Sequence, residues 1–202
     1  FTADAAHELR TPLAAIRVQA QVALASTDSE AHRHALNQVV AGTQRATRLV
    51  EQLLRLARLD PLATLPDAVP LDLNRVAGDI LAELLAGMPR RTDDVQLDTA
   101  SSAHRVAGDA QLLGVALRNL IENALRYTAP GQAITVFVGE DNGETVFGVR
   151  DAGSGVPAED LPKLIERFYR GKDNTSEGSG LGLAIVRRIA QLHGAHLEVG
   201  NI

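Results

Sequence analysis

Gly178-Ser179-Gly180-Leu181-Gly182 runs straight into Leu183-Ala184-Ile185-Val186. Glycines that open a helix leave backbone N–H groups uncovered at the positive end of its dipole, an arrangement that suits polyphosphate. What surrounds them decides the fold. No strand pattern precedes the glycines and no βαβ unit encloses them, which excludes a dinucleotide-binding Rossmann unit. A protein-kinase glycine loop is excluded too, because the lysine strand and the His-Arg-Asp loop are missing. A bare glycine run also occurs in flexible linkers, so the flanking elements must carry the reading.

Outward from the glycines, strands and helices interleave without regular alternation. Helical patterns cover about 158–168 and 181–193, and a strand begins near His196. Ile134 to Glu140 and Thr145 to Asp151 alternate around Asp141-Asn142-Gly143, a hairpin signal. Asp109 caps a long helix that reaches Tyr127. Asn74 to about Ala86 is helical, and Val95-Gln96-Leu97 and His104-Arg105-Val106 are short strands. The spacing predicts an α/β sandwich, with helices on one face of a mixed sheet.

The N-terminal part follows a different rule. Residues 2 to about 26 form one helix, with Leu9, Leu13, Ile16, Ala20 and Leu24 at helical spacing. Thr27-Asp28-Ser29 supplies turn and cap chemistry. A second helix runs to about Leu59 with Val39, Ala46, Leu49, Leu53, Leu56 and Ala57 as its apolar stripe. Two helices cannot bury such stripes alone, which predicts a helical hairpin that dimerises into a four-helix bundle. A purely architectural coiled coil explains the stripes equally well. Asp60-Pro61 ends the second helix, and Pro66 and Pro70 oppose another. The chain therefore divides into a hairpin at 1–60, a linker at 61–70 and a second domain at 71–202.

Composition narrows the function classes. The 202 residues are 45% hydrophobic and 22% charged, as in a globular protein of one or two domains. The chain has no cysteine, which removes disulfides, thiolate metal sites and cysteine nucleophiles together. A net charge of −5 and 3% aromatics argue against nucleic acid, which calls for basic patches and stacking rings. No apolar run reaches the roughly 20 residues of a membrane span. The chain opens within a helical pattern and without a cap, which predicts a missing upstream part.

Three clusters carry chemistry. On the helix after Asp109, Asn119, Asn123 and Arg126 share one arc while Leu113, Leu117, Leu120 and Ala124 share another. Asparagine is a poor helix former, so this pair beside an arginine points to an oxygen ligand and phosphate contacts, or to an ordinary polar surface. Asp151-Ala152-Gly153-Ser154-Gly155 ends the hairpin with a carboxylate able to accept a bond from an adenine amino group, or forms a plain turn. Between the glycine clusters lie Glu166-Arg167-Phe168-Tyr169-Arg170-Gly171 and the polar stretch Lys172 to Glu177, which together resemble a mobile lid. Arg167, Arg170 and Lys172 there either meet a γ-phosphate or are merely solvated.

The third cluster is His7-Glu8-Leu9-Arg10-Thr11-Pro12-Leu13. Pro12 would clash with the carbonyl of Glu8 and costs roughly 3 kcal/mol relative to alanine, so a bend is expected there. Arg10 and Thr11 stand on the same side as His7. A titratable nucleophile beside a carboxylate, at a built-in kink, is a candidate reactive site.

Taken together and in this order, these motifs resemble the transmitter region of a sensor histidine kinase of a bacterial two-component system. His7 to Leu13 is similar to the family's H box, Asn119 to Thr128 to its N box, and Asp151 to Gly155 to its first glycine box. Phe168 matches the F box and Gly178 to Gly182 the second glycine box. The resemblance implies a dimerisation and histidine-phosphotransfer bundle followed by a Bergerat-type ATP-binding domain. It implies that His7 is the phospho-acceptor and Glu8 its activating carboxylate. Thr11 would orient water for the reverse, phosphatase activity. Asn123 would hold Mg²⁺ and Asp151 would bind adenine. Asn119, Arg126, Tyr127, Gly153, Gly155, Phe168, Arg170, Gly178, Gly180, Leu181 and Gly182 would complete the ATP site. Gyrase-type ATPases carry a water-activating glutamate where this chain has Asn119, and an amide cannot serve as that base. The implied partners are a second copy of the chain and the receiver domain of a response regulator, with no nucleic acid. The family pattern also implies a sensor and a membrane anchor upstream of Phe1, and a glycine-rich turn and final strand beyond Ile202. The rivals are a GHKL-type ATPase and a non-catalytic dimeric module that binds a receiver domain.

Overall fold

The computed structural model describes residues 2–62, 64–65, 68–87, 94–99, 104–171 and 178–201. The chain divides into two compact units, Phe1–Arg58 and Leu59–Ile202.

The first unit is built from α1 (Thr2–Ala25) and α2 (Ser29–Leu59). α1 runs through Pro12 without interruption. The Asp28 carboxylate accepts the N–H groups of Glu30 and Ala31 at 3.4 and 2.9 Å and so caps α2. His32 reaches back across the turn, its Nδ1 2.9 Å from the carbonyl of Ala23, one of the acceptors that the end of α1 leaves open. Gly42 lets the helices approach closely, since a Cβ there would stand 2.7 Å from Ile16 Cγ1.

Ala35, Leu49, Leu53 and Leu56 of α2 are buried. The stripe expected on α1 is only partly covered. Leu13 is 56% and Leu24 88% exposed, while Ala23 is buried. A helix with a single neighbour covers only the face turned to it. Val18 and Val22 on α1, and Leu36, Val40, Val50 and Leu54 on α2, are exposed as well.

The second unit contains β1 (Val69–Asp72), α3 (Leu73–Ala86), β2 (Val95–Thr99), β3 (Arg105–Gly108), α4 (Ala110–Tyr127), β4 (Ile134–Asp141), β5 (Glu144–Asp151) and α5 (Gly182–Leu192). β1 pairs antiparallel with β3, Val69 opposite Gly108. Val69 and Pro70, within the stretch read as linker, thus belong to a strand. The pair is a two-stranded ribbon, where proline is tolerated. In the second sheet β4 lies between β2, parallel to it, and β5, antiparallel to it. Asn142 and Gly143 close the β4–β5 hairpin at φ of 50° and 83°, both positive as a tight two-residue turn requires.

Ile134, Val136 and Val138 alternate onto one face of β4 and are buried. Leu81 and Leu84 of α3, Leu117 and Ile121 of α4, and Ile185 and Ile189 of α5 complete this core. On the other face the Arg150 guanidinium lies 4.2 Å from the centre of the Phe137 ring. Helices therefore cover one side of a mixed sheet. Among the described residues no helix is long and apolar enough to cross a membrane.

Two expected elements differ. The helix expected at 158–168 is one turn of 3-10 helix, Leu161–Lys163, followed by turns. Pro162 has no N–H to give, and the bonds around it mix spans of three and four residues: Leu164 donates to Asp160 at 3.2 Å and to Leu161 at 3.3 Å, and Glu166 to Lys163 at 2.8 Å. The strand expected near His196 does not form among the described residues, where 195–201 are irregular and have no ladder partner.

Candidate functional site

The site is assembled where α4 meets the start of α5. Asp109 Oδ1 accepts the N–H groups of Gln111 and Leu112 at 2.8 and 3.0 Å, a cap of about 1 kcal/mol. The N–H of Asp109 donates to His193 Nε2 at 3.1 Å, and His193 Nδ1 donates to the carbonyl of Ile189 at 2.8 Å. One neutral imidazole thus ties the start of α4 to the end of α5. Gly108 leaves room for it, since a Cβ there would stand 2.9 Å from His193 Cδ2.

With Leu113, Leu117 and Ala124 of α4 in the core, its asparagines meet the glycine helix. Asn119 is buried, and its Nδ2 donates to the carbonyl of Val115 at 2.8 Å. Its Oδ1 would lie 3.2 Å from a Cβ on Gly182, and the amide of Asn123 would lie 3.7 Å away. A side chain at position 182 would fill the space between these amides and the start of α5.

The neighbouring glycines are equally constrained. Gly180 has φ of 67°, and a Cβ on it would come within 2.6 Å of the Phe168 carbonyl carbon. Phe168 itself has φ of 65°, rare for a bulky residue, and its N–H donates to the carbonyl of Gly180 at 2.9 Å. A Cβ on Gly178 would stand 3.0 Å from Arg126 Nη1 and 3.8 Å from the Tyr127 hydroxyl. Leu181, expected at the ligand, is a core residue by its side chain, and its N–H donates to Ser179 Oγ at 3.2 Å.

Asp151 stands at the end of β5, its residue exposed to solvent. Its Oδ1 accepts the Thr128 hydroxyl at 3.3 Å and the N–H of Gly153 at 2.9 Å. Oδ2 accepts no bond among the described residues. A Cβ on Gly153 would lie 3.0 Å from the carbonyl of Tyr127, so this turn closes directly onto the end of α4.

The stretch before the second glycine cluster is pinned from both sides. The Tyr169 hydroxyl donates to Oδ1 of buried Asp160 at 2.5 Å. That bond, then burial and the nearby carboxylates, push the phenol up to about 12. Arg167, one of the candidates for a γ-phosphate, donates to the Asp60 carboxylate at 2.6 Å. Arg188 of α5 donates to the carbonyls of Leu59, Asp60 and Leu62, all within the same unit. Arg170 is exposed, and the polar stretch 172–177 lies outside the described residues.

The H-box residues belong to the first unit. His7 and Thr11 are exposed on α1 and Glu8 is half-buried. No hydrogen bond joins His7 to Glu8, because neighbours on a helix point about 100° apart.

Residues 1–62 match the family described as "His Kinase A (phospho-acceptor) domain", and residues 108–201 match "Histidine kinase-, DNA gyrase B-, and HSP90-like ATPase". The structure of the cytoplasmic segment of the histidine kinase QseC is 33% identical, with a TM-score of 0.53, and the match covers 79% of this chain and 85% of that one. The chain belongs to the sensor histidine kinases. It is a transmitter region, with a phospho-acceptor domain and an ATP-binding domain.

Among curated kinases, sensor protein QseC of Escherichia coli (strain K12) is 44% identical over the whole chain. The chain spans 44% of that relative's length. The histidine kinase ThkA, solved in complex with the response regulator TrrA, shares the fold at a TM-score of 0.74 and 20% identity, over 96% of this chain and 55% of that one.

Sequence reading missed three groups at this kinase's site. Thr128, next to the last residue of α4, orients Asp151. Asp160 holds Tyr169. Asn201 holds Val156 from 45 positions away, and no local pattern announces it. Only Thr128 was within reach, as the last residue of the N-box match.

Proposed function

We propose that this region transfers the γ-phosphoryl group of ATP to His7 and passes it from there to an aspartate of a response regulator. The single observation that supports the reading most is the seating of Gly182 against Asn119 and Asn123. Only a residue without a side chain leaves that space open beside two amides and the start of a helix.

In this reading Asp151, held by Thr128 and Gly153 through Oδ1, offers Oδ2 to the adenine amino group. Gly153 and Gly155 let the loop after Asp151 turn tightly, so that its backbone flanks the base. The N–H groups at the start of α5, with Gly178, Gly180 and Gly182, cradle the phosphates, and Leu181 keeps that turn seated in the core. Arg126, Tyr127 and Arg170 line the phosphate end, and Phe168 fixes the strand of backbone that flanks it. Asn123 would hold Mg²⁺, which when bound neutralises charge on the phosphates. Asn119, an amide whose Nδ2 is spent on Val115, cannot deprotonate water, which favours transfer over hydrolysis.

At the acceptor, neutral His7 uses the lone pair of one ring nitrogen to attack the γ-phosphorus in line, and ADP leaves. The proton on the other ring nitrogen is held by the Glu8 carboxylate once the side chains turn towards each other, which stabilises the cationic phosphohistidine. The phosphoryl group then moves to the regulator's aspartate and restores neutral His7. Thr11, one turn further on, orients water in the reverse, phosphatase reaction. The exposed apolar residues of α1 and α2 pair with a second copy to complete a four-helix bundle. The hairpin occupies about 1–60, followed by the linker and the ATP-binding domain, and the whole protein is anchored in the bacterial inner membrane upstream of Phe1.

Incubation with γ-labelled ATP, followed by an acid-lability test of the protein-bound label, decides the matter. Label that is lost in acid, stable in base and absent from His7→Gln supports the proposal. Label retained on His7→Gln, or rapid ATP turnover without any phosphoprotein, overturns it.

A further inference from the structure

The loop from Asp151 to Val156 is fastened at its two ends and nowhere between. At its start the N–H of Ala152 donates to the carbonyl of Ala133 at 3.1 Å, and Gly153 donates to the Asp151 carboxylate. At its far end one side chain does the work. Asn201 Oδ1 accepts the N–H of Val156 at 2.9 Å, and Asn201 Nδ2 donates to the carbonyl of Val156 at 2.7 Å. Ser154 and Gly155 make no hydrogen bond among the described residues.

Gripping both the N–H and the C=O of one residue is what a neighbouring strand does in a sheet ladder. Here the planar amide of the Asn201 side chain makes both bonds. Its seat is specific. Gly155 has φ of 70°, and a Cβ there would meet Asn201 Oδ1 at 3.0 Å. The loop is thus shaped around this amide, and Asp151, the group assigned to the base, is the loop's first residue.

We infer that Asn201 is a positioning residue for the base end of the nucleotide site. By holding Val156 it fixes the loop that aims Asp151, and so sets both affinity for ATP and preference for the 6-amino group, without touching the nucleotide. The inference rests on reading this site as the ATP pocket.

The test titrates the full chain, in Mg²⁺, with ATP and with purine riboside triphosphate, which lacks the 6-amino donor. The wild type prefers ATP. In Asn201→Ala, loss of two hydrogen bonds lowers ATP affinity about tenfold. Affinity for purine riboside triphosphate stays near the wild-type value, so the preference collapses while binding stoichiometry holds. Asn201→Asp is isosteric but loses the donor to Val156 and sets a carboxylate against its carbonyl, so it loses the preference too and serves where the alanine variant folds poorly. An unchanged ratio of the two affinities in these variants overturns the inference, whether both affinities hold or both fall together. A wild type that binds neither nucleotide overturns instead the ATP-pocket reading, before any variant is made.

Discussion

Gly180 and Gly194 share a backbone conformation, with φ of 67° and 68°, but not a neighbourhood. Replacing each by alanine separates the cost of strain from the cost of contact. At Gly194 nothing lies within 4 Å of an added Cβ. The residue follows α5 and completes its C-terminal cap, with Ala195 donating to the carbonyl of Ala190 and Gly194 to that of Gln191. Gly194→Ala therefore costs only the left-handed strain of an L-residue, about 1 kcal/mol. At Gly180 the same strain is joined by three backbone atoms, Phe168 C at 2.6 Å, Phe168 Cα at 2.8 Å and the Tyr169 carbonyl at 2.9 Å. Backbone cannot swing aside as a flexible side chain can. Overpacking adds about 1–3 kcal/mol, for a total of about 2–4 kcal/mol, concentrated on the stretch that flanks the second glycine cluster. If that displacement is felt at the phosphates, ATP affinity falls by about thirtyfold or more. Urea unfolding and ATP titration on both variants measure the two effects. Gly194→Ala should unfold slightly earlier and bind ATP normally, whereas Gly180→Ala should lose binding. Equal losses in the two variants, or normal binding by Gly180→Ala, would refute the claim that contact with Phe168 dominates.

Three further outcomes are expected. Asn123→Ala should lose the Mg²⁺-dependent part of nucleotide affinity, and a titration with and without the ion that shows no change would remove it from the metal role. Tyr127 and Tyr169 are the chain's two tyrosines, so in Tyr127→Phe the tyrosinate absorbance reports Tyr169 alone. It should titrate near 12 rather than 10, and lower once Asp160→Asn removes the charge that holds it. Because the folded value is raised, the stability this bond contributes is complete below pH 10 and fades as pH rises through about 12; a midpoint at 10 would contradict the bond. Thr11→Ala should slow dephosphorylation of the regulator more than autophosphorylation, and an equal loss of both would deny it a separate task.

What could be read from the chain was whatever depends on near neighbours. The cap at Asp109, the Asn142-Gly143 turn and the helical stretch Asn119 to Tyr127 each rest on residues within a few positions, and each stands as read. The glycines were legible because a position that must lack a Cβ leaves its mark in composition, although what each glycine makes room for was not. The stretch 158–168 failed as a helix because its apolar spacing ignored Pro162 and the distant pull of Gly180 on Phe168. The strand near His196 failed because a strand is defined by a partner, and periodicity contains none.

The amino-acid order by itself determined the two kinds of architecture and the caps that bound the helices. All of that follows from backbone sterics and short-range hydrogen bonding. Tertiary structure alone decided that Asn201 grips Val156 from 45 positions away, that Arg167 turns to Asp60 across 107, and that His193 joins two helices across 84. Such pairs depend on how buried faces bring remote backbone together. No local rule encodes that distance.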